Sequence, residues 1–433
     1  MSEATMPVED FATMRGRIAS IFGGSIGNLI EWYDFYVYNF FALYFAKSFF
    51  PHSDPTVQLL DTFAIYAVGF LVRPVGGWLL GVYADRAGRK TALLVSVLMM
   101  CVGSLIVAMT PTYATIGIGA PLVLLVARLL QGLSLGGEYG TSATYLSEVA
   151  ISRWRGFYSS FQYVTLIGGQ VLGGATLLVM QLAFTPAQLE AWGWRLPFLI
   201  GAACALFGVY LRANLVETDQ YVRASADKRR GSLARLLKHP KQILLVFGLT
   251  MGGTTAFYTY TTYMPTFLVN TVHLTRDQAT QISFITLVLY ALMQPLAGAI
   301  SDRIGRRPVL MWFGVLGTLG TVPILNALAA THSYGTALLL ILVALVIITG
   351  YTSINAVVKA ELFPAAVRAL GVGLPYAMAV SIFGGTAPML ALWFKSHGMA
   401  AAFYWYVSAL IFGSALVYGF MGDTKKTSLI DRD

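Results

Sequence analysis

Apolar stretches long enough to cross a bilayer recur along the whole chain, at residues 18–46, 58–83, 91–110, 120–148, 157–183, 194–213, 241–269, 279–301, 309–330, 336–358, 367–394 and 400–421. A hydrocarbon core of about 30 Å needs roughly 20 helical residues. The pattern therefore predicts an all-α membrane protein of twelve transmembrane helices. Polar connections between them are short, except for 214–240, which is basic and closed by Pro240 and reads as a linker with short helical turns. That divides the chain into an N-terminal tail (1–17), a bundle (18–213), the linker, a second bundle (241–421) and a C-terminal tail (422–433).

The polar connections repeat. "GVYADRAGRK" (81–90) and "GAISDRIGRR" (298–307) share the pattern G-x-x-x-D-R-x-G-R-[RK] and lie 217 positions apart in a chain of 433. Glu148 and Arg155 recur as Glu361 and Arg368, 213 positions on. Six helices per half is an even number, so equivalent loops fall on one side and the halves are parallel repeats about an axis normal to the membrane.

Composition agrees and adds an orientation. The chain is 57% hydrophobic and 11% charged, with mean hydropathy +0.67, outside the range of soluble domains. Of its 29 Lys and Arg, 23 fall in connections and tails on one side, which the positive-inside rule places in the cytoplasm with both termini. The net charge of +9 is thus topological and gives no reason to invoke nucleic acid. The first seventeen residues carry Glu3, Glu9 and Asp10 and do not read as a signal peptide. Cys101 and Cys204 lie in apolar spans, read as small core residues, and offer neither a disulfide framework nor a metal cluster.

Five ionisable residues interrupt the spans: Glu31, Asp34, Arg73, Arg128 and Glu138. Each costs roughly 2.5 to 3.5 kcal/mol at the bilayer centre, so each should face the bundle interior with a partner. At ~1.5 Å per residue Glu31 and Arg128 reach similar depths, and Arg73 and Glu138 form an inner layer. Asn28, Glu31, Phe35 and Tyr38 share one helical face, with Asp34 at its edge; Arg128, Gln131, Leu135 and Glu138 share another. Arg73 reads as a carboxylate clamp, because a guanidinium forks onto a carboxylate and keeps its charge, or as one member of a structural ion pair. Glu31 and Asp34 read as proton-coupling acids, or as members of permanent salt bridges, with Glu138 next in line. An acid that pairs with Arg128 in the empty site and takes a proton when substrate claims the arginine would load proton and substrate together. The histidines all fall in connections.

The paired loops resemble those of the major facilitator superfamily. "GNLIEWYDFYVY" (27–38), "FLVRPVGGWLLGVYADRAGRK" (70–90), "ARLLQGLSLGGEYGTSATYLSEVA" (127–150) and "ELFPAAVRALGVG" (361–373) are similar to its metabolite:proton symporter branch over nearly the whole chain. The resemblance implies a monomeric secondary transporter of a bacterial inner membrane, importing a small dicarboxylate, α-ketoglutarate foremost, with protons by alternating access. It implies a conformational lock in Asp85, Arg86 and Arg89 and their repeats Asp302, Arg303 and Arg306, and links the R-x-x-Q-G setting of Arg128 to proton transfer or packing. Candidate substrate contacts are Arg73, Arg128 and Gln162, with Tyr258 and Lys359 from the second half, where Gln294, Tyr351 and Asn355 add neutral donors. No Gly-Lys dipeptide occurs, hence no Walker A loop, and no H-E-x-x-H or nucleophile elbow points to an enzyme, so no cofactor is expected beyond the proton gradient. Citrate, shikimate or a betaine are alternative substrates. Efflux antiport would favour an acid-rich cavity without Arg73, and a nutrient sensor an added cytoplasmic domain.

Overall fold

Inside a bilayer every backbone amide must be satisfied within the protein, and this chain does so with helices; no strand occurs among the described residues. The computed structural model describes residues 14–51, 54–87, 89–136, 138–213, 233–365 and 367–430. They form twelve rods: α1 (Met14–Phe49), α2 (Pro55–Leu71 continuing as Arg73–Ala87), α3 (Arg89–Met109), α4 (Gly119–Leu135 continuing as Glu138–Val149), α5 (Arg155–Ala183) and α6 (Leu196–Ala213) in the first half. The second half has α7 (Pro240–Asn270), α8 (Arg276–Ile304), α9 (Arg306–Ala330), α10 (Tyr334–Glu361), α11 (Arg368–Ser396) and α12 (Ala400–Phe420). Eight segments are long and apolar enough to span a membrane, and Leu94–Met109, Gly119–Leu135 and Gly193–Leu206 are shorter apolar helices. Of the linker, the stretch 214–232 lies outside the described residues, and Leu233–Leu236 is a short helix.

Several rods are broken where a continuous helix was expected. α2 breaks at Val72, α10 between Thr352 and Asn355, and α7 and α11 each contain a π-helical turn, Thr259–Tyr263 and Val380–Gly384. Proline accounts for two of these. Pro74 and Pro265 have no N–H for the carbonyls of Phe70 and Thr261, and the helix adjusts locally.

Glycine sets the helix spacing. A Cβ on Gly132 would overlap the Gly69 carbonyl, and one on Gly136 the Arg73 carbonyl, so α4 meets α2 backbone to backbone. The pair Gly169 and Gly173 lies against Trp32 and Phe40 of α1. Across the halves, Gly156 of α5 touches Gly298 of α8 in the same way, and these two helices run along each other as the main inter-half seam. The halves also meet at both ends. At the end bearing the basic loops, Tyr139 of α4 stacks on Tyr376 of α11 with centroids 3.6 Å apart. Toward the opposite end α2 packs along Ala387–Ser396 of α11, and Arg276 pairs with Glu190.

Candidate functional site

The centre of the first half is a buried hydrogen-bond relay. Asp34 on α1 is fully buried, as are Ser104 on α3 and Arg128 and Gln131 on α4. Ser104 Oγ donates to Asp34 Oδ2. Gln131 Nε2 donates to the same oxygen at 3.0 Å and to Ser104 Oγ at 2.8 Å. Arg128 Nη1 donates to Gln131 Oε1 at 2.7 Å. The expected contact of Arg128 with an acid is therefore made through an amide. The three-residue step from Arg128 to Gln131 puts both on one helical face, and α2 is close enough to form a wall because Gly132 and Gly136 carry no side chain.

The guanidiniums of Arg128 and Arg73 rest on aromatic rings. The Arg128 guanidinium carbon lies 4.1 Å from the Phe35 ring centroid, 4.5 Å from Tyr38 and 5.1 Å from Tyr66. That of Arg73 lies 3.7 Å from Phe70, 4.5 Å from Phe35 and 5.1 Å from Trp32. Two cations from α2 and α4 thus share the Phe35 ring. Aromatic faces stabilise a cation by roughly 0.5–2 kcal/mol, less than a desolvated charge loses, and they leave its N–H edge unused. Nε and Nη2 of both arginines have no hydrogen-bond partner among the described residues. The hydroxyls of Tyr36, Tyr66, Tyr258 and Tyr351 and Nε2 of Gln162 are buried and unpartnered in the same way. Gln162 is held by its other end, where Oε1 accepts from Ser142 Oγ at 2.6 Å.

From the second half, Lys359 is buried beside the first. Lys359 on α10 is 0% exposed; its Nζ donates to Asn355 Oδ1 at 2.8 Å and lies 3.9 Å from the Tyr376 ring centroid. Asn355 Oδ1 also accepts from Tyr139 OH at 2.8 Å, which ties this group to the first half. Tyr258 stands over Phe70 with ring centroids 5.1 Å apart, so it reaches the aromatic wall that carries Arg73. Gln294 is turned inward within its own half, its Oε1 accepting from Thr352 and its Nε2 donating to Tyr290.

At the end with the basic loops, Asp302 caps α5. Its Oδ1 accepts from the Gly156 N–H at 2.8 Å and its Oδ2 from Phe157 at 2.9 Å, where the helix dipole favours negative charge. Arg306 bonds Asp302 at 2.8 Å and Glu361 at 3.4 Å. Arg368 pairs with Glu148 across the halves. The chain after α12 straps this cluster: Asp423 accepts from the Arg306 N–H at 3.0 Å, Thr424 donates to Glu361, and Leu429 donates its N–H to the Glu361 carbonyl at 3.0 Å. Arg303 of the same motif is exposed.

Of the residues singled out from sequence, Glu31, Asp34, Arg73, Arg128, Gln162, Tyr258 and Lys359 are all buried. The side chains of Glu138, Asp85, Arg86 and Arg89 lie outside the described residues. Sequence reading passed over Ser104, Tyr66 and Tyr376. None interrupts an apolar pattern, so none carries a signal until its neighbours are known.

The sugar (and other) transporter family model matches residues 21–235 and again 220–433. The α-ketoglutarate permease of Escherichia coli (strain K12) is 51% identical over 420 residues, 96% of this chain and 97% of that protein. A citrate-proton symporter of Klebsiella pneumoniae is 34% identical, covering 95% of this chain and 94% of its own. A proline/betaine transporter of Escherichia coli (strain K12) is 31% identical over 90% of this chain and 81% of its own. Among solved structures, the xylose transporter XylE from E. coli, in a partially occluded inward open conformation, superposes with a TM-score of 0.74 at 19% identity, over 94% of this chain and 98% of that one.

Proposed function

Because the chain belongs to the sugar (and other) transporter family and has the major facilitator fold, we propose that it imports α-ketoglutarate with protons across a bacterial inner membrane, with its termini and basic loops in the cytoplasm. The reading is supported by 51% identity to a permease for that substrate over nearly the full length of both chains. The observation that carries it is Arg73: 4% exposed, stacked on Phe70, with Nε and Nη2 lacking a hydrogen-bond partner among the described residues. Burying a charge costs several kcal/mol, and the open guanidinium edge fits a substrate carboxylate in a fork.

One carboxylate then sits on Arg73, and the free edge of Arg128 faces the same aromatic wall. Lys359 supplies a cation from the other half, so a substrate with two carboxylates draws the halves together where one with a single carboxylate cannot. Asp34 carries the proton. When substrate withdraws Arg128 from the relay, Asp34 loses its cationic support and takes up a proton from the open side. Alternating access breaks the Asp302 cap on α5 and the Glu148–Arg368 pair at one end, and the α2–α11 contact at the other.

Uptake into proteoliposomes under an imposed pH gradient, with a panel of carboxylates, tests this. Unlabelled α-ketoglutarate is expected to compete best; its failure to compete would remove it as the substrate, and competition by citrate or a betaine would reassign the site.

A further inference from the structure

The Gln131 amide touches a buried acid and a buried base with chemically opposite ends. Its Nε2 hydrogens go to Asp34 Oδ2 and Ser104 Oγ, and its Oε1 accepts from Arg128 Nη1. A carboxamide has donors at one end and only an acceptor at the other. The end that faces Asp34 therefore selects that residue's charge. An N–H suits a carboxylate, whereas a C=O suits a carboxyl group that holds a proton to donate.

On the proton-symport reading above, we propose that Gln131 is the positioning residue that links occupancy of Arg128 to the protonation of Asp34. While Arg128 donates to Oε1, the amide is fixed with its N–H toward Asp34, and the acid stays ionised. A substrate carboxylate that takes the guanidinium removes this donor. The amide then rotates half a turn and presents Oε1 to Asp34, and a proton from the open aqueous side adds to the Asp34 carboxylate and bridges the two oxygens. No covalent bond other than this O–H forms or breaks, and the added positive charge is offset by the arriving carboxylate. Ser104 can follow the switch, since its hydroxyl now donates to Asp34 and accepts from Gln131 and can turn its donation to Gln131 Oε1. Space for the amide comes from α3, where a Cβ on Gly103 would overlap Gln131 Cγ. Among the described residues, the other titratable groups facing Asp34 are the Arg128 guanidinium from α4, the Cys101 thiol from α3 and the Cys204 thiol from α6, with Tyr33 on its own helix. None of these bridges acid to base as the amide does.

The test uses the full-length protein in proteoliposomes with labelled α-ketoglutarate and two readouts: exchange without a pH gradient, and accumulation with the lumen alkaline. Gln131→Leu fills the same space with neither amide end. It is expected to retain exchange, with a lower KM because the amide no longer competes with substrate for Arg128, while gradient-driven accumulation relative to exchange falls at least about tenfold, the scale of a hydrogen bond to a charged group. The pH dependence of exchange should flatten to that of Asp34→Asn. Gln131→Met, close to the native side chain in length and carrying neither amide end, is expected to lose accumulation in the same way and guards against a folding defect of the leucine variant. Accumulation at the wild-type level in either variant overturns the proposal, as does an equal loss of exchange and accumulation in both. Wild-type protein that fails to accumulate substrate under the gradient would instead remove the symport reading itself.

Discussion

Ser381 in the π-helical turn of α11 donates its hydroxyl to the main-chain carbonyl of Phe70 on α2, joining the two halves of the molecule. The acceptor is available because Pro74, four residues on, has no N–H to give it. A proline in one half thus creates the bonding site for a serine in the other, 311 positions from the acceptor Phe70 in sequence.

Removing either side of this contact should act on the same interaction. Ser381→Ala leaves a buried carbonyl short of a donor, a loss of about 1–3 kcal/mol, and is expected to lower the melting temperature in detergent. Pro74→Ala restores the amide and lets α2 satisfy Phe70 internally. The double variant should be less destabilised than the sum of the two single changes. Strict additivity in a double-mutant cycle would show that the two residues act independently.

Arg73→Lys tests the substrate cation. Lysine keeps the charge but cannot fork onto a carboxylate or stack flat on Phe70. Uptake is expected to fall at least about tenfold, the loss of one good charge-assisted hydrogen bond, with normal expression and insertion. Near-normal uptake would take Arg73 out of the site.

Asp34→Asn should separate transport from coupling. Without an exchangeable proton the variant is expected to exchange substrate down its gradient and fail to concentrate it. Raising the external pH should slow uptake by the wild type, which needs the proton, and leave exchange by Asp34→Asn unchanged. Glu31→Gln in the same assay identifies the coupling acid: if it loses accumulation and Asp34→Asn does not, the roles are reversed.

Asp302→Ala removes both acceptors at the start of α5 and one partner of Arg306. Loss of a helix cap costs about 1–2 kcal/mol, here in a contact made between the halves. The expected result is faster labelling, from the basic-loop side, of a cysteine placed at buried Ser160 on α5, together with slower turnover. Labelling at the wild-type rate would show that the cap does not hold this end closed.

The sequence by itself determined the succession of spanning segments, the tandem halves and four buried charges of the first half, Glu31, Asp34, Arg73 and Arg128. It could do so because a bilayer leaves long apolar runs in the text and makes every interruption costly. Its helical wheel also placed Arg128 and Gln131 on one face. It could not place Ser104 opposite them, because Ser104 is an ordinary polar residue in a span and its position against Asp34 depends on how α3 packs. The motif "SDRIGRR" is equally mute about direction: Arg306 is buried against Asp302 and Glu361 while Arg303 is exposed. Tertiary structure alone decided which edge of each buried cation is used. Glycines at 103, 132, 136, 156 and 298 fix the helix spacing, and spacing decides which polar group falls within hydrogen-bond reach of another.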